Sequence, residues 1–280
     1  MTVDAHHHLW DLDVRDQDWI TGEAMAPIRR SFTVDDLRPL AEAAGVDTTV
    51  VVQTVTVAEE TPELLAIAEN EPLIGAVTGW VDLTGESVAE RLAELRAGRG
   101  GGFLRGIRHQ VQGEPDPRWL CRDDVRRGLR AVGDAGLVYE LLTLPHQLEA
   151  AIETATELAD VPFVLDHCSK PPVAAGELEP WTTLVRRLAA CHNVTCKLSG
   201  LVTEADWSRW TVDDLRPYAQ TVLDAFGPDR VMVGSDWPVC TLAGSYERVL
   251  DTARDLLSGL TPGEREAVSD TTARRVYRLG

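Results

Sequence analysis

The sequence is poor in the features that tie a chain to a membrane, a polyanion or an oxidising compartment. Its five cysteines, Cys121, Cys168, Cys191, Cys196 and Cys240, are odd in number and lack C-x-x-C spacing, which argues against a disulfide framework or a structural zinc site. No stretch approaches about eighteen consecutive apolar residues, and no basic segment followed by an apolar run opens the chain. Neither a membrane span nor signal-directed export is expected, and a reducing cytoplasm fits best. Basic residues are outnumbered, 27 Lys and Arg against 45 Asp and Glu, and the resulting formal charge of −18 repels nucleic acid and anionic lipid. No Ser/Pro/Gly-rich linker interrupts residues 1–280, so one domain is expected. The G-x-S-x-G elbow of serine hydrolases is missing. Gly100-Gly101-Gly102 precedes a strand instead of opening a helix, and therefore reads as a flexible turn, not a phosphate cradle.

What the chain does contain is an alternation. A first strand, Val3 to His8, is followed by a long polar and aromatic stretch from Trp10 to Phe32, which is expected to cover a site. Thr33, with Asp36 three residues on, signals a helix start, and Gly45 its end. Strands at Thr48–Thr54, Leu73–Trp80, Leu104–Arg108, Leu137–Leu142, Val161–Asp166, Asn193–Leu198 and Arg230–Ser235 then alternate with helical segments. Two closing helices are expected at 245–257 and 261–275. Eight strands separated by helices predict a parallel (β/α)8 barrel, with a doubly wound open sheet as the alternative.

In such a barrel the site lies at the carboxyl ends of the strands. Polar residues gather there: His6 and His8, Gln53, Arg108 and His109, Asp166 and His167 with Lys170, Lys197 and Ser199, and Asp236. A ring of this kind costs several kcal/mol of desolvation unless it has a role. Strand alternation places His6 and His8 on one face with Asp4, and His7 on the other. Such a histidine pair can bind a divalent cation, polarise a carbonyl or shuttle a proton. Plainer explanations exist for individual residues: a tag remnant or a satisfied polar core for the histidines, a simple ion pair with Arg108 or Lys197 for Glu140, a hydrogen bond to a neighbouring strand for Gln53. Six tryptophans, Trp10, Trp19, Trp119, Trp207, Trp210 and Trp237, lie in or near post-strand segments, where they either stack on a ring-shaped ligand or pin their own loops.

The segments DAHHHLWD, VVVQTVTVAEET, GWVDL, GIRHQVQGEPDPRWL, LDHCSKP, CKLSGLVTEADW and GSDWPV, in this order, resemble the amidohydrolase-related lactonases. That branch of the amidohydrolase superfamily hydrolyses sugar and dicarboxylate lactones. The resemblance implies a distorted (β/α)8 barrel and opening of a small lactone, of L-fucono, L-rhamnono or galactono type. It also implies a site of Asp236, the general base, with His6, His8, Arg108, His109 and His167. Lys170 and Lys197, with Gln53, Trp10 and Trp237, are expected to bind substrate. Superfamily members with two metals carry a lysine on strand four, where this chain has Arg108-His109, so the resemblance implies either no required metal or one divalent ion, zinc before others. His6, His8, Asp236 and Glu140 are its expected ligands. A metal-dependent decarboxylase or amide hydrolase, and a non-catalytic barrel that binds a sugar acid, are the competing functions.

Overall fold

The computed structural model describes residues 3–280. The β-branched and apolar runs form β1 (Val3–His7), β2 (Thr48–Val52), β3 (Ile74–Gly79), β4 (Leu104–His109), β5 (Val138–Leu141), β6 (Phe163–Leu165), β7 (Val194–Leu198) and β8 (Val231–Val233). Each strand pairs in parallel with the next, in sequence order. Past the end of β8 the chain returns to β1: Asp236 N donates to His6 O at 2.8 Å and His8 N to Trp237 O at 2.7 Å. This is the distorted (β/α)8 barrel, not the open sheet.

Helices α1 (Val34–Ala44), α2 (Glu60–Ala68), α3 (Val88–Ala97), α4 (Asp123–Asp134), α5 (Leu148–Glu157), α6 (Trp181–Ala189), α7 (Val212–Phe226) and α8 (Tyr246–Leu256) surround it. The expected start of α1 is present, with the Thr33 N–H donating to Asp36 Oδ2 at 2.8 Å, and Gly45 closes that helix in the left-handed region at φ 70°. Val3, Ala5, Val50, Val52, Ala76, Val138, Val164 and Met232 fill the lower barrel, and Ala273 and Tyr277 seal it from below. The expected helix at 261–275 is divided into α9 (Pro262–Glu266), a π turn at Ala267–Thr271 and α10 (Thr272–Tyr277). The wide turn has a reason: Val268 and Ala273, five residues apart, are both buried, a spacing that a π turn and not an α turn brings to one side. Among the described residues no helix is long and apolar enough to cross a membrane.

Two local expectations need correction. Asp4 does not share a face with His6 and His8, because β1 carries a bulge: Asp4 pairs with Thr49 but His7 with Val51, three residues against two. The extra residue resets the alternation. Asp4 therefore bonds Ser235 and Tyr246, while His6 and His8 turn into the barrel and His7 meets Thr49 Oγ1 at 2.9 Å. The glycine triplet is also closely packed at its first residue. Gly100 sits at φ 65° against α2, where a Cβ would overlap the Leu65 carbonyl. Gly100→Ala is therefore expected to lower unfolding stability by roughly 1–3 kcal/mol, from left-handed strain plus overpacking. Denaturant melts check this, and kcat per folded molecule should be unchanged.

Candidate active site

The strand ends open into a cavity of about 330 Å³, lined among others by His8, Arg108, His167, Lys170, Glu204 and Asp236. That is the low end for small-molecule sites and suits one sugar-sized ring. His6 lies directly beneath. Its Nε2 is 3.2 Å from His8 Nε2 and 3.8 Å from Asp236 Oδ1; His8 Nε2 is 3.4 Å and His167 Nε2 3.9 Å from that same oxygen.

In each of these histidines the other ring nitrogen is engaged. His8 Nδ1 donates to Val52 O at 2.8 Å, His167 Nδ1 meets Ser199 Oγ at 2.9 Å, and His6 Nδ1 meets Lys197 Nζ at 3.1 Å and Asp166 Oδ1 at 3.6 Å. Three Nε2 atoms and one carboxylate oxygen consequently converge. Burial pushes the imidazoles of His6 and His167 down, His167 to about 4. Burial also pushes the Asp236 carboxyl up, but His167, the hydrogen bond with His8 and the Lys170 charge outweigh it and leave the group below its ordinary value.

Asp236 and His167 are held by strained backbone. His167, Cys168, Ser169 and Lys170 form a left-handed turn, with φ of 51°, 53°, 57° and 50°, and Asp236 sits at 58°. For non-glycine residues this costs about 1–2 kcal/mol each. Neighbouring groups offset it: Trp181 Nε1 donates to Cys168 O at 2.7 Å, Ser169 Oγ lies 2.8 Å from Thr143 Oγ1, and Ser199 fixes His167. One left-handed turn returns position i+3 to the face of i, so His167 and Lys170 both reach the cavity.

Other expected members lie elsewhere. His109 faces out of the barrel, because its neighbour Arg108 faces in. It accepts from Trp80 Nε1 at 3.0 Å, meets Glu114 at 2.7 Å and stacks on Trp119. Lys197 is sealed below the cavity between Glu140 at 2.7 Å and Asp166 at 3.1 Å. Gln53 is fully buried and its Oε1 accepts from Arg108 Nε at 3.1 Å and Nη2 at 2.9 Å, so it orients the arginine. Glu140 lies with Thr78 and Tyr277, near His6 and Asp166 but apart from His8 and Asp236; His167 takes its place in the donor set. Trp10 and Trp237 are buried with Phe32 and anchor the loop that closes at Trp10 and Phe32. Of the tryptophans, Trp19 and Trp207 line the cavity.

Sequence reasoning missed Thr54, Gln110, Gln112 and Glu204, all cavity-lining. Their position just past strands two, four and seven was the available signal.

A family model described as amidohydrolase matches residues 3–279. The chain belongs to the amidohydrolase family. It is 41% identical to an L-fucono-1,5-lactonase of Burkholderia multivorans, over 100% of this chain and 96% of that protein. With an L-fucono-1,5-lactonase of Burkholderia ambifaria it shares 38% identity, over 87% of this chain and 82% of the other. A crystal structure of a Burkholderia multivorans amidohydrolase with bound zinc superimposes with a TM-score of 0.93 at 39% identity, covering both chains fully.

Buried neutral histidines link the stability of this amidohydrolase to pH. Burial lowers His7 to about 3, so below the unfolded value near 6.5 the unfolded chain binds more protons and stability falls on acidification. Between pH 7.5 and 5.5, wild type should lose about 1.4 kcal/mol more than His7→Gln, the contribution of one histidine over one pH unit. Urea unfolding of both proteins at the two pH values reads the difference; parallel losses would exclude it.

Proposed function

We propose that this amidohydrolase opens a sugar 1,5-lactone by water attack, with Asp236 as general base. The observation that supports this most is the convergence of His6, His8 and His167 on one Asp236 oxygen at the floor of a cavity of about 330 Å³. The lactonase names of the Burkholderia relatives, at 41% and 38% identity, support the substrate class.

Asp236 is ionised at neutral pH and takes a proton from water placed against the lactone carbonyl. The developing oxyanion faces the Arg108 guanidinium. That group spends its N–H donors on Gln53, Asp166 and His6, and so acts by fixed charge at low reorganisation cost. The leaving ring oxygen takes its proton back from Asp236. His167, near 4, is neutral at pH 7 and holds no spare proton to give. Lys170, a quarter exposed at the cavity wall, recognises hydroxyls.

The donor set also suits one divalent ion. His6, His8 and His167 would offer Nε2 and Asp236 a carboxylate oxygen, and the Val52 carbonyl and Ser199 hydroxyl at the Nδ1 atoms of His8 and His167 supply the outer support that metal-bound imidazoles use. His6 Nδ1 lies between the Lys197 ammonium at 3.1 Å and Asp166 Oδ1 at 3.6 Å. A bound zinc would lower the pKa of a ligated water to about 7.

Asp236→Asn keeps the shape and removes the proton acceptor. Initial rates with L-fucono-1,5-lactone should give kcat reduced by roughly 10²-fold or more, with KM changed far less. Near wild-type turnover in this variant would remove Asp236 from the mechanism.

A further inference from the structure

The cavity wall carries two cations, Arg108 and Lys170, and two anions, Glu204 and Asp236. Arg108 is already paired with Asp166 at 3.1 Å. Lys170 Nζ lies 3.5 Å from Glu204 Oε1, with both side chains about a quarter exposed, at 24% and 25%. Lys170 comes from the left-handed turn after β6 and Glu204 from the turn Leu201–Glu204 after β7, so two loops converge to make this pair. Burial pushes the Glu204 carboxyl up and Lys170 pulls it back.

The pairing bears on what the cavity accepts. Among the described lining residues no cation is left without a carboxylate beside it, and the chain as a whole carries −18. A carboxylate on a ligand would find no free counter-charge and would meet Glu204 and Asp236. Adjacent hydroxyls on a neutral ring find the reverse. An ammonium donor and a carboxylate acceptor 3.5 Å apart satisfy one hydroxyl as acceptor and its neighbour as donor.

We propose that Glu204 is the specificity-determining residue of this amidohydrolase. With Lys170 it takes a vicinal diol of a neutral, polyhydroxylated lactone, and by holding the lysine's charge it turns away lactones that carry a carboxylate. The proposal rests on the lactonase reading and adds to it a residue and a charge rule.

The decisive variant is Glu204→Gln, which keeps size and one acceptor but frees the Lys170 charge. kcat/KM is measured for L-fucono-1,5-lactone and for an aldaric 1,5-lactone with a free carboxylate. Wild type should prefer the neutral ring. In Glu204→Gln the neutral lactone should lose roughly 10-fold, chiefly through KM, while the carboxylated one gains roughly 10-fold, the scale of one charge interaction at a partly exposed site. Equal losses on both substrates would overturn the proposal, since a merely structural role moves both together. Lys170→Gln is the second variant: it should lose the neutral lactone without gaining the carboxylated one, and a gain would overturn the charge rule. Should wild type open neither lactone, the lactonase reading fails by itself. Calorimetric binding of a 1,5-anhydrohexitol and its 6-carboxylate to wild type and Glu204→Gln then reads the same preference, a shifted ratio supporting the proposal and a constant ratio overturning it.

Discussion

The site depends on the seam where the end of the barrel meets its beginning. Only a few bonds join the segment after β8 to β1, and they fall at His6, His8, Asp236 and Trp237, where the imidazoles and the carboxylate converge. One buried carboxylate fastens them. Asp4 accepts from the N–H groups of Ser235 at 2.8 Å and His6 at 3.2 Å, and from the hydroxyls of Ser235 at 2.6 Å and Tyr246 at 3.0 Å. Losing it would orphan several buried donors, at about 1–3 kcal/mol each. The backbones approach closely enough that a Cβ at Gly234 would lie 2.6 Å from the His6 Cβ. Closure of the fold and alignment of His6 with Asp236 are thus one interaction.

Beneath the seam, buried charges cancel in pairs. Arg108 meets Asp166, and Lys197 meets both Glu140 and Asp166, while Tyr277 and Thr78 donate to Glu140. The Glu140 carboxyl is pushed up by burial and by Asp166, whereas Asp166 is held well below the ordinary range, because Lys197, His6 and Arg108 override its burial. Such a network adds little net stability over an apolar core. Its value lies in orientation: Lys197 and Asp166 fix the His6 ring, Gln53 and Asp166 fix Arg108, and α10 at the barrel's far end reaches the same network through Tyr277.

Most of the fold was legible because β-branched strands, capping residues and helix-ending glycines repeat with a barrel's period. The polar ring was legible too, as a ring. Its division into cavity wall and underlying support was not. Arg108 and His109 are equally polar neighbours, and only the register of β4 against β5 decides which enters the barrel. Lys197 and Glu140 sit at inward positions, but the sequence does not tell how far below the mouth they stop. The bulge in β1 left no mark in residue type. Nor did the left-handed turn at 167–170, since glycine usually announces such backbone and here four side-chain-bearing residues adopt it.

That turn shows how a loop adds to the cavity what the barrel strands do not carry. Residues 167–170 all take left-handed backbone as the chain leaves β6, and His167 and Lys170 both line the cavity. Trp181, Thr143 and Ser199 hold the turn there from α6, the end of β5 and the end of β7. Strain is stored where the surrounding structure over-determines the backbone. Three neighbouring elements restrain four residues, which then present one imidazole to Asp236 and one ammonium to Glu204. The barrel supplies the rigid frame, and the strained turn fixes how far apart the His167 imidazole and the Lys170 ammonium stand.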